Sequence, residues 1–226
     1  ASCLVGSEMC IRDSYLDNLL NDNMILGISW GNTMYHTVKA VKTSKNIPIT
    51  VVPIMGAANV RTPERDSLDL SKELAYAYGG TYHYIYAPLF VNSEEVRDSL
   101  EQEPNIKGCL ELAKNADIIL TSVGSIVYKS WKSYLSTRDL YNLEKKGAIG
   151  HIGGHFYDME GNEVITPFVN KMIGLGIEDI KNTENVICVA GLEMKAEAIL
   201  GAVRGGYINT LITDEEAAKA VLALCK

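Results

Sequence analysis

The residues best suited to chemistry lie at positions 27–33, where the chain reads Gly-Ile-Ser-Trp-Gly-Asn-Thr. An apolar run at 24–28 leads into this segment and an amphipathic stretch begins at Thr33, which predicts a buried strand, a tight turn and a helix start. Such a turn directs backbone N–H groups and a positive helix end at one point, which suits a phosphate or carboxylate. We expect Ser29 and Thr33 to add hydroxyl donors and Gly31 to let the backbone approach the anion. An ordinary strand-to-helix turn without a ligand fits the same pattern.

Two further segments also contain groups that can hold an anion. Gly124 and Ser125 follow an apolar run at 116–123, and Lys195 follows another at 185–190. A lysine in the first turn of a helix is disfavoured by the helix dipole, so an anionic partner would explain Lys195. A turn glycine and a solvated surface lysine are the alternatives.

The segment 55–66 and three ring side chains add candidates for sugar recognition. Either Arg61 or Arg65 in this segment can close over an anion through two parallel hydrogen bonds, although most loop arginines are solvated. His151 can accept a hydrogen bond from a sugar hydroxyl or titrate near neutrality. Trp30 and Trp131 can stack on a sugar ring, and packing within their loops is the alternative.

A catalytic set is not evident. The sequence contains no G-x-S-x-G, Walker A or G-x-G-x-x-G motif, and the spacing of its serine, histidine and acidic residues indicates no triad. A sugar-phosphate isomerase would need a carboxylate base in the loops described above. The candidates are Asp117 in a predicted strand and Glu193 at a predicted helix start, and both fit poorly. Asp158 is expected to cap a turn at 160–162.

Composition limits the kinds of protein this chain can be. A length of 226 residues, 47% of them hydrophobic and 22% charged, suits one well-packed domain. The net charge of -7 and the lack of a basic run argue against nucleic-acid binding by this segment. No apolar run is long enough to span a membrane. Five scattered cysteines and four histidines predict no metal site and reduced thiols in a cytoplasm.

The chain is expected to divide into two parts. Residues 1–14 resemble the translated read-through of a sequencing adapter, so we expect them to be non-native and exclude them from fold prediction. A genuine amphipathic N-terminal segment is the alternative. Residues 15–226 form the predicted domain, whose native chain would begin near Tyr15 after the loss of an upstream part.

Helix-like and strand-like segments alternate from Tyr15 onward. Strands are predicted at 24–28, 49–54, 81–86, 116–123, 148–152, 185–190 and 207–212. Helices are predicted at 15–22, 33–43, 67–78, from 93, at 105–115, 136–147 and 193–204, and from 213, with capping boxes at 136–139 and 213–216. Apolar strands separated by helices indicate a mainly parallel sheet covered on both faces. Ligands bind beyond the carboxyl ends of such strands, which gathers the loops 29–33, 55–66, 124–132 and 191–195 at one edge.

Eight motifs then follow one another in order along the chain. They read GISWGNTM from 27, VVPIMG from 51, YAPLFV from 86, ADIILTSVG from 116, GAIGHI from 147, FYDMEG from 156, VAG from 189 with Lys195-Ala, and RGGYINTLITD from 204. Together they resemble the sugar-binding domain of SorC/DeoR-type bacterial transcriptional regulators. The resemblance implies an α/β, Rossmann-like fold with a mainly parallel sheet and helices on both faces, similar to sugar-phosphate isomerases and deaminases.

The resemblance also implies a set of site residues. The effector phosphate would be held by Ser29, Gly31, Asn32, Thr33, Gly124, Ser125 and Lys195. The candidate sugar contacts are Met55, Gly56, Arg65, Lys132 and His151. Members that bind a bisphosphorylated sugar carry an arginine at the position of Met55, and the family usually has an acid at the position of His151, so this chain departs from the pattern twice.

The function implied by the resemblance is effector sensing. The domain would bind a phosphorylated sugar without metal, cofactor or catalysis. It would modulate operator binding through an N-terminal helix-turn-helix expected to be missing here, as a cytoplasmic homodimer or homotetramer without a membrane contact. An isomerase- or deaminase-like enzyme acting on a sugar phosphate is the alternative.

Overall fold

The predicted parallel sheet is the centre of the fold. The computed structural model describes residues 15–43, 45–58, 63–126, 131 and 134–225. Its strands are β1 (Ile25–Ile28), β2 (Thr50–Pro53), β3 (Thr81–Tyr82), β4 (Ile118–Thr121), β5 (Gly124–Ser125), β6 (Gly150–Ile152), β7 (His155–Tyr157), β8 (Asn185–Val189) and β9 (Thr210–Ile212). Six of them form one sheet in the order β3-β2-β1-β4-β8-β9, and every pair in it is parallel.

Helices cover both faces of this sheet, as predicted. They are α1 (Leu16–Leu19), α2 (Asn32–Ala40), α3 (Ser67–Tyr78), α4 (Glu94–Glu101), α5 (Pro104–Lys114), α6 (Thr137–Lys145), α7 (Ile177–Asn182), α8 (Ala196–Arg204) and α9 (Glu215–Leu224). Short 3₁₀ turns lie at Pro63–Arg65, Val169–Lys171 and Glu193–Lys195. Within the described residues no helix has both the length and the apolar character needed to cross a bilayer.

The two faces of the sheet bury two separate apolar cores because strand side chains alternate. Leu26 and Leu120 point into a core shared with α1, α2 and α3. Val52 and Ile119 point into the other core, which α5 and α8 close together with the second sheet. Burial on both faces explains why these strands are apolar throughout rather than alternating.

A second, antiparallel sheet of β5, β6 and β7 lies against the second core. The predicted strand at 148–152 belongs here, and its bounds shorten to β6. Gly124 and Ser125, predicted as an anion-binding loop with a plain turn as the alternative, pair with His151 and Gly150 as β5. Neither β7 nor α7 was predicted, because three or six residues carry too short a pattern to identify.

The predicted strand at 81–86 is largely wrong, since only Thr81–Tyr82 forms β3. The amides of Thr50 and Ile54 donate to Met24 O, just before β1, and to Ile28 O at its end, so the amide of residue 53 would face β3. Residue 53 is a proline and has no N–H to extend the ladder on that side. The tyrosines that suggested a longer strand instead pack ring to ring beside one another, with 5.0 Å between the Tyr82 and Tyr84 centroids.

Two predicted helix starts also differ in the structure. The helix expected from 193 begins as the 3₁₀ turn Glu193–Lys195, and α8 follows at Ala196. The capping box expected at 213–216 is wrong, because the N-cap of α9 is Asp214, whose side chain accepts from Ala217 N. Aspartate caps a helix as well as threonine does, so the sequence pattern placed the cap one residue early.

The strand order reverses direction between β1 and β4, which makes this the topological switch point of the sheet. Chain connections run to β2 and β3 on one side of this point and to β8 and β9 on the other. Loops that leave β1 and β4 therefore diverge and open a crevice beyond the carboxyl ends of the strands, the usual ligand position in such sheets.

The contribution of the capping box at Ser136 to the stability of α6 can be tested by substitution. Ser136 Oγ accepts from Asp139 N at 3.2 Å, and Asp139 Oδ2 accepts from Ser136 N at 3.2 Å. Replacing Ser136 by alanine removes the cap, so we expect Ser136→Ala to lower the free energy of unfolding in urea by about 1 kcal/mol. Ser99→Ala on the exposed face of α4 is the control and should change it by less than about 0.5 kcal/mol. Equal effects of the two substitutions would contradict the role of the capping box.

Candidate functional site

A cavity of about 230 Å³ opens at the switch point. It is bounded by the loops that follow β1, β2, β4 and β8, together with the β6–β7 hairpin. The lining residues are Ser29, Trp30, Gly31, Asn32, Thr33, Met55, Ser122, Val123, Gly124, Ser125, Trp131, His151, Gly153, Gly154, Leu192 and Lys195.

The loop after β1 forms one wall of the cavity and leads into the first turn of α2. Gly31 is the N-cap of α2 with φ of +125°, a conformation that a residue with a Cβ rarely adopts. The N–H groups of the first helical turn have no acceptor within the helix, so those of Asn32 and Thr33 are free to bind an anion. The Gly31 amide differs, because it donates to Arg65 O at 3.1 Å.

A buried hydroxyl pair connects this loop to β4. Thr121 Oγ1 donates to Ser29 Oγ at 3.0 Å, and Ser29 is 4% exposed. Because Ser29 Oγ accepts this bond, its own proton stays available to donate to a ligand. Ser29 N also donates to Leu120 O at 3.2 Å, so the start of the loop is fixed to the neighbouring strand.

Lys195 lines the opposite wall at the end of the Glu193–Lys195 turn and serves as the N-cap of α8. Burial lowers the pKa of its amine, and the neighbouring Cys188 opposes this lowering in part. Among the described residues no carboxylate lies within 4.0 Å of its ammonium group. A partly buried ammonium without a carboxylate partner is suited to binding an anionic ligand.

His151 stands between these walls on β6 and remains neutral. Burial lowers its pKa to about 3, and the charge of Lys195 adds to the effect. Its Nε2 is buried and has no hydrogen-bond partner among the described residues. Its ring meets the Trp131 ring edge-on, with 5.0 Å between the centroids. A neutral imidazole can exchange a hydrogen bond with a hydroxyl group but cannot neutralise a phosphate.

An aromatic cluster forms the remaining side of the cavity. Trp131 is 1% exposed and lies with its ring centroid 5.9 Å from that of Trp30 and 5.7 Å from that of Tyr134. Phe156 packs beneath it at 5.3 Å. Packing is thus the main role of Trp131, while partly buried Trp30 keeps some surface at the cavity.

The structure gathers most of the sequence-predicted residues around this one cavity. All seven predicted phosphate-binding residues line it, as do Met55 and His151. Gly56 and Arg65 are not among the lining residues, and Arg61 and Lys132 lie outside the described residues. The cavity is also lined by residues that were not predicted from the sequence, namely Ser122, Val123, Gly153, Gly154 and Leu192. The adjacent glycines 153 and 154 were a usable signal, because a Gly-Gly pair between two short strands indicates a hairpin turn.

The candidate catalytic carboxylates do not reach the cavity. Asp117 precedes β4 and its Oδ2 accepts from Ile25 N at 2.7 Å, at the opposite edge of the sheet. Glu193 is not part of the lining. Asp158 caps its turn as expected, accepting from the amides of Glu160 and Asn162. The described lining therefore contains one cation and no acid.

Gly124 provides a test of the packing around His151. A Cβ at position 124 would overlap His151 Nε2, so we expect Gly124→Ala to lower the free energy of unfolding by about 1–3 kcal/mol. A Cβ at position 108 in α5 would have nothing within 4 Å of it, so Gly108→Ala should stabilise the protein by about 0.5–1 kcal/mol. A neutral Gly124→Ala in denaturant titrations would contradict this packing.

The pH dependence of stability provides a test of the state of His151. Its folded pKa of about 3 lies below the ordinary value near 6.5, so below pH 6.5 the unfolded chain binds a proton that the folded protein does not. The free energy of unfolding should therefore fall between pH 6.5 and 3, by at most about 1.4 kcal/mol per pH unit from this group. We expect His151→Gln to reduce this slope and His36→Gln, at an exposed position, to leave it unchanged. An unchanged slope in His151→Gln would contradict the neutral form.

Comparison with known proteins points to the same family that the sequence motifs resemble. A family model described as "Putative sugar-binding domain" matches residues 11–223. The chain is 35% identical to the transcriptional regulator LsrR of Escherichia coli strain K12, over 96% of this chain and 69% of that protein. It is 28% identical to the deoxyribonucleoside regulator of Bacillus subtilis strain 168, over 92% of this chain and 67% of that protein.

The fold itself matches a solved regulator. The full-length sorbitol operon regulator SorC of Klebsiella pneumoniae superposes with a TM-score of 0.92 at 24% identity, over 98% of this chain and 72% of that one. The chain spans between 64% and 69% of the length of the first curated relatives that it matches, all of which are named as regulators. The chain therefore belongs to the family of sugar-binding domains of SorC/DeoR-type transcriptional regulators.

Proposed function

We propose that this domain binds a phosphorylated sugar in the cavity and senses it as the effector of a transcriptional regulator. The observation that carries the proposal is that one cavity is lined both by the start of α2, with its first-turn amides, and by Lys195, which has no carboxylate partner among the described residues. Helix N-termini and buried cations both favour a phosphate, and together they suit its dianion.

The rest of the lining supports an uncharged sugar portion. Met55, Val123 and Leu192 are apolar, and His151 is neutral. The adjoining segments 59–62 and 127–133 contain no aspartate or glutamate in the sequence. An amino sugar would leave its ammonium group without a carboxylate in this cavity, which is costly for a buried charge. The proposed effector is thus a phosphorylated sugar without an amino group.

The regulatory step follows from linkage. The effector shifts the regulator between two arrangements only as far as its affinities for them differ. We propose that a helix-turn-helix domain of the same regulator binds operator DNA, and that the regulator acts in the cytoplasm as a homodimer or homotetramer. The lack of a carboxylate in the described lining supports binding over isomerase or deaminase chemistry, since both need a base.

Titration calorimetry with ribose 5-phosphate, 2-deoxyribose 5-phosphate, fructose 6-phosphate, glucosamine 6-phosphate and their free sugars tests the proposal. We expect binding of at least one neutral phosphosugar, and no binding of its free sugar. Thr33→Val and Lys195→Ala should each weaken that affinity at least tenfold, which corresponds to about 1.4 kcal/mol. Lys145→Ala, at an exposed position on α6, is the matched control. Turnover of the bound compound in a time course would favour the enzyme, and equal affinity in all variants would reject the site.

The affinity should also depend on pH in a defined direction. The charged amine of Lys195 binds the phosphate, and burial lowers its pKa from 10.5, so affinity should fall as the pH rises toward 10. It should fall again below about pH 6, where the phosphate monoester takes up a proton. Lys195→Arg, which stays charged, should lose the alkaline fall and keep the acid one. An alkaline fall that persists in Lys195→Arg would contradict the assignment.

A further inference from the structure

One carboxylate joins the cavity to the last helix. Asp214 is the N-cap of α9 and is 7% exposed. Its Oδ1 accepts from Ala217 N at 2.7 Å, which caps the helix. Its Oδ2 accepts from Leu192 N, also at 2.7 Å, although Leu192 lies 22 residues earlier in the chain. A helix cap needs only the first of these two bonds.

The second bond holds a strained residue. Leu192 has φ of +77° and ψ of 134°, and among the described residues Asn23 is the one other non-glycine residue with a positive φ. A leucine in this conformation costs free energy and persists only where its surroundings impose it. Two bonds impose it here: Asp214 accepts from Leu192 N, and Leu192 O accepts from Lys195 N at 3.0 Å.

The geometry of this turn determines where Lys195 lies. The bond from Lys195 N to Leu192 O closes the 3₁₀ turn Glu193–Lys195, so the position of the Leu192 peptide sets the direction in which the turn leaves β8. Leu192 and Lys195 both line the cavity. Asp214 bonds to backbone amides and forms no ion pair with Lys195, so the ammonium charge is left for a ligand.

We propose that Asp214 is a positioning residue for anion binding, which fixes the strained Leu192 peptide and thereby holds Lys195 in the cavity. This inference rests on the proposed function for its ligand, although the placement of Lys195 can be measured without one. The lowered pKa of Lys195 agrees with a turn that keeps its amine partly buried.

Asp214→Ser separates the two bonds of the carboxylate. Serine is a good N-cap and can still accept from Ala217 N, but its single oxygen cannot also reach the Leu192 amide. We expect Asp214→Ser to retain a cooperative melt. It should bind at least fivefold more weakly whichever of ribose 5-phosphate, 2-deoxyribose 5-phosphate and fructose 6-phosphate binds the wild type. Ser93→Ala is the control, because it removes the N-cap of α4 and should leave affinity unchanged.

A double-mutant cycle distinguishes positioning from a general loss of stability. If Asp214 acts through Lys195, adding Asp214→Ser to Lys195→Ala should cause no further loss of affinity. Additive losses would overturn the proposal, and so would an Asp214→Ser variant that binds as tightly as the wild type.

A ligand-independent readout keeps the inference separate from the proposed function. Reductive ¹³C-methylation and NMR can follow the titration of the Lys195 amine. In Asp214→Ser its pKa should rise toward the ordinary 10.5, because the released turn exposes the amine to water. Failure of every phosphosugar to bind the wild type would reject the proposed function. An unchanged Lys195 titration in Asp214→Ser would reject the positioning role.

Discussion

The pairing of β1 with β4 is the contact on which the site depends. The two strands lie side by side in register, with Gly27 opposite Ile119 and Ile28 opposite Leu120. Their following loops begin at the same height and separate at once, because the connections lead to opposite sides of the sheet. The bond from Thr121 Oγ1 to Ser29 Oγ joins the loops at the point of separation. Any slip between these strands would move the two cavity walls relative to each other.

The electrostatics of the cavity depend on the absence of a carboxylate from its described lining. One ammonium group lines the same cavity as the first-turn residues of α2, and no carboxylate in the described lining reduces its field. Such a field is stronger in a low-dielectric cavity than in water. The neutral state of His151 matters for the same reason, since a second cation beside Lys195 would raise the cost of burying both. In the proposed function, the phosphate and the uncharged part of the effector would thus contact different walls.

Sequence reasoning succeeded where a pattern was long and local. The apolar strands and the glycine-ended helices were predicted because burial on both faces and C-capping leave clear signals, as at Gly79 with φ of +73°. Prediction failed where a residue far away in the sequence determines the local structure. The hydrogen-bond ladder of β3 stops after Tyr82 because residue 53 on the neighbouring strand is a proline. The residues around position 84 give no sign of this.

The same distinction applies to the cavity. The loops at 29–33 and 124–125 follow strands that end at one edge, so their meeting could be predicted. The backbone of Leu192 could not, because leucine gives no sign of a positive φ and the carboxylate that holds it lies on another element. Gly56 packs against the backbone of Pro88 instead of reaching the cavity, another contact that spacing alone does not reveal.

The aromatic cluster has a practical consequence for spectroscopy. The chain contains two tryptophans, Trp30 and Trp131, and both line the cavity. Their rings lie 5.9 Å apart, so each forms part of the other's electronic surroundings. Tryptophan emission from this protein therefore arises from the cavity wall and from no other part of the fold. Its wavelength and quenching report the polarity and water content of that one space without any attached label.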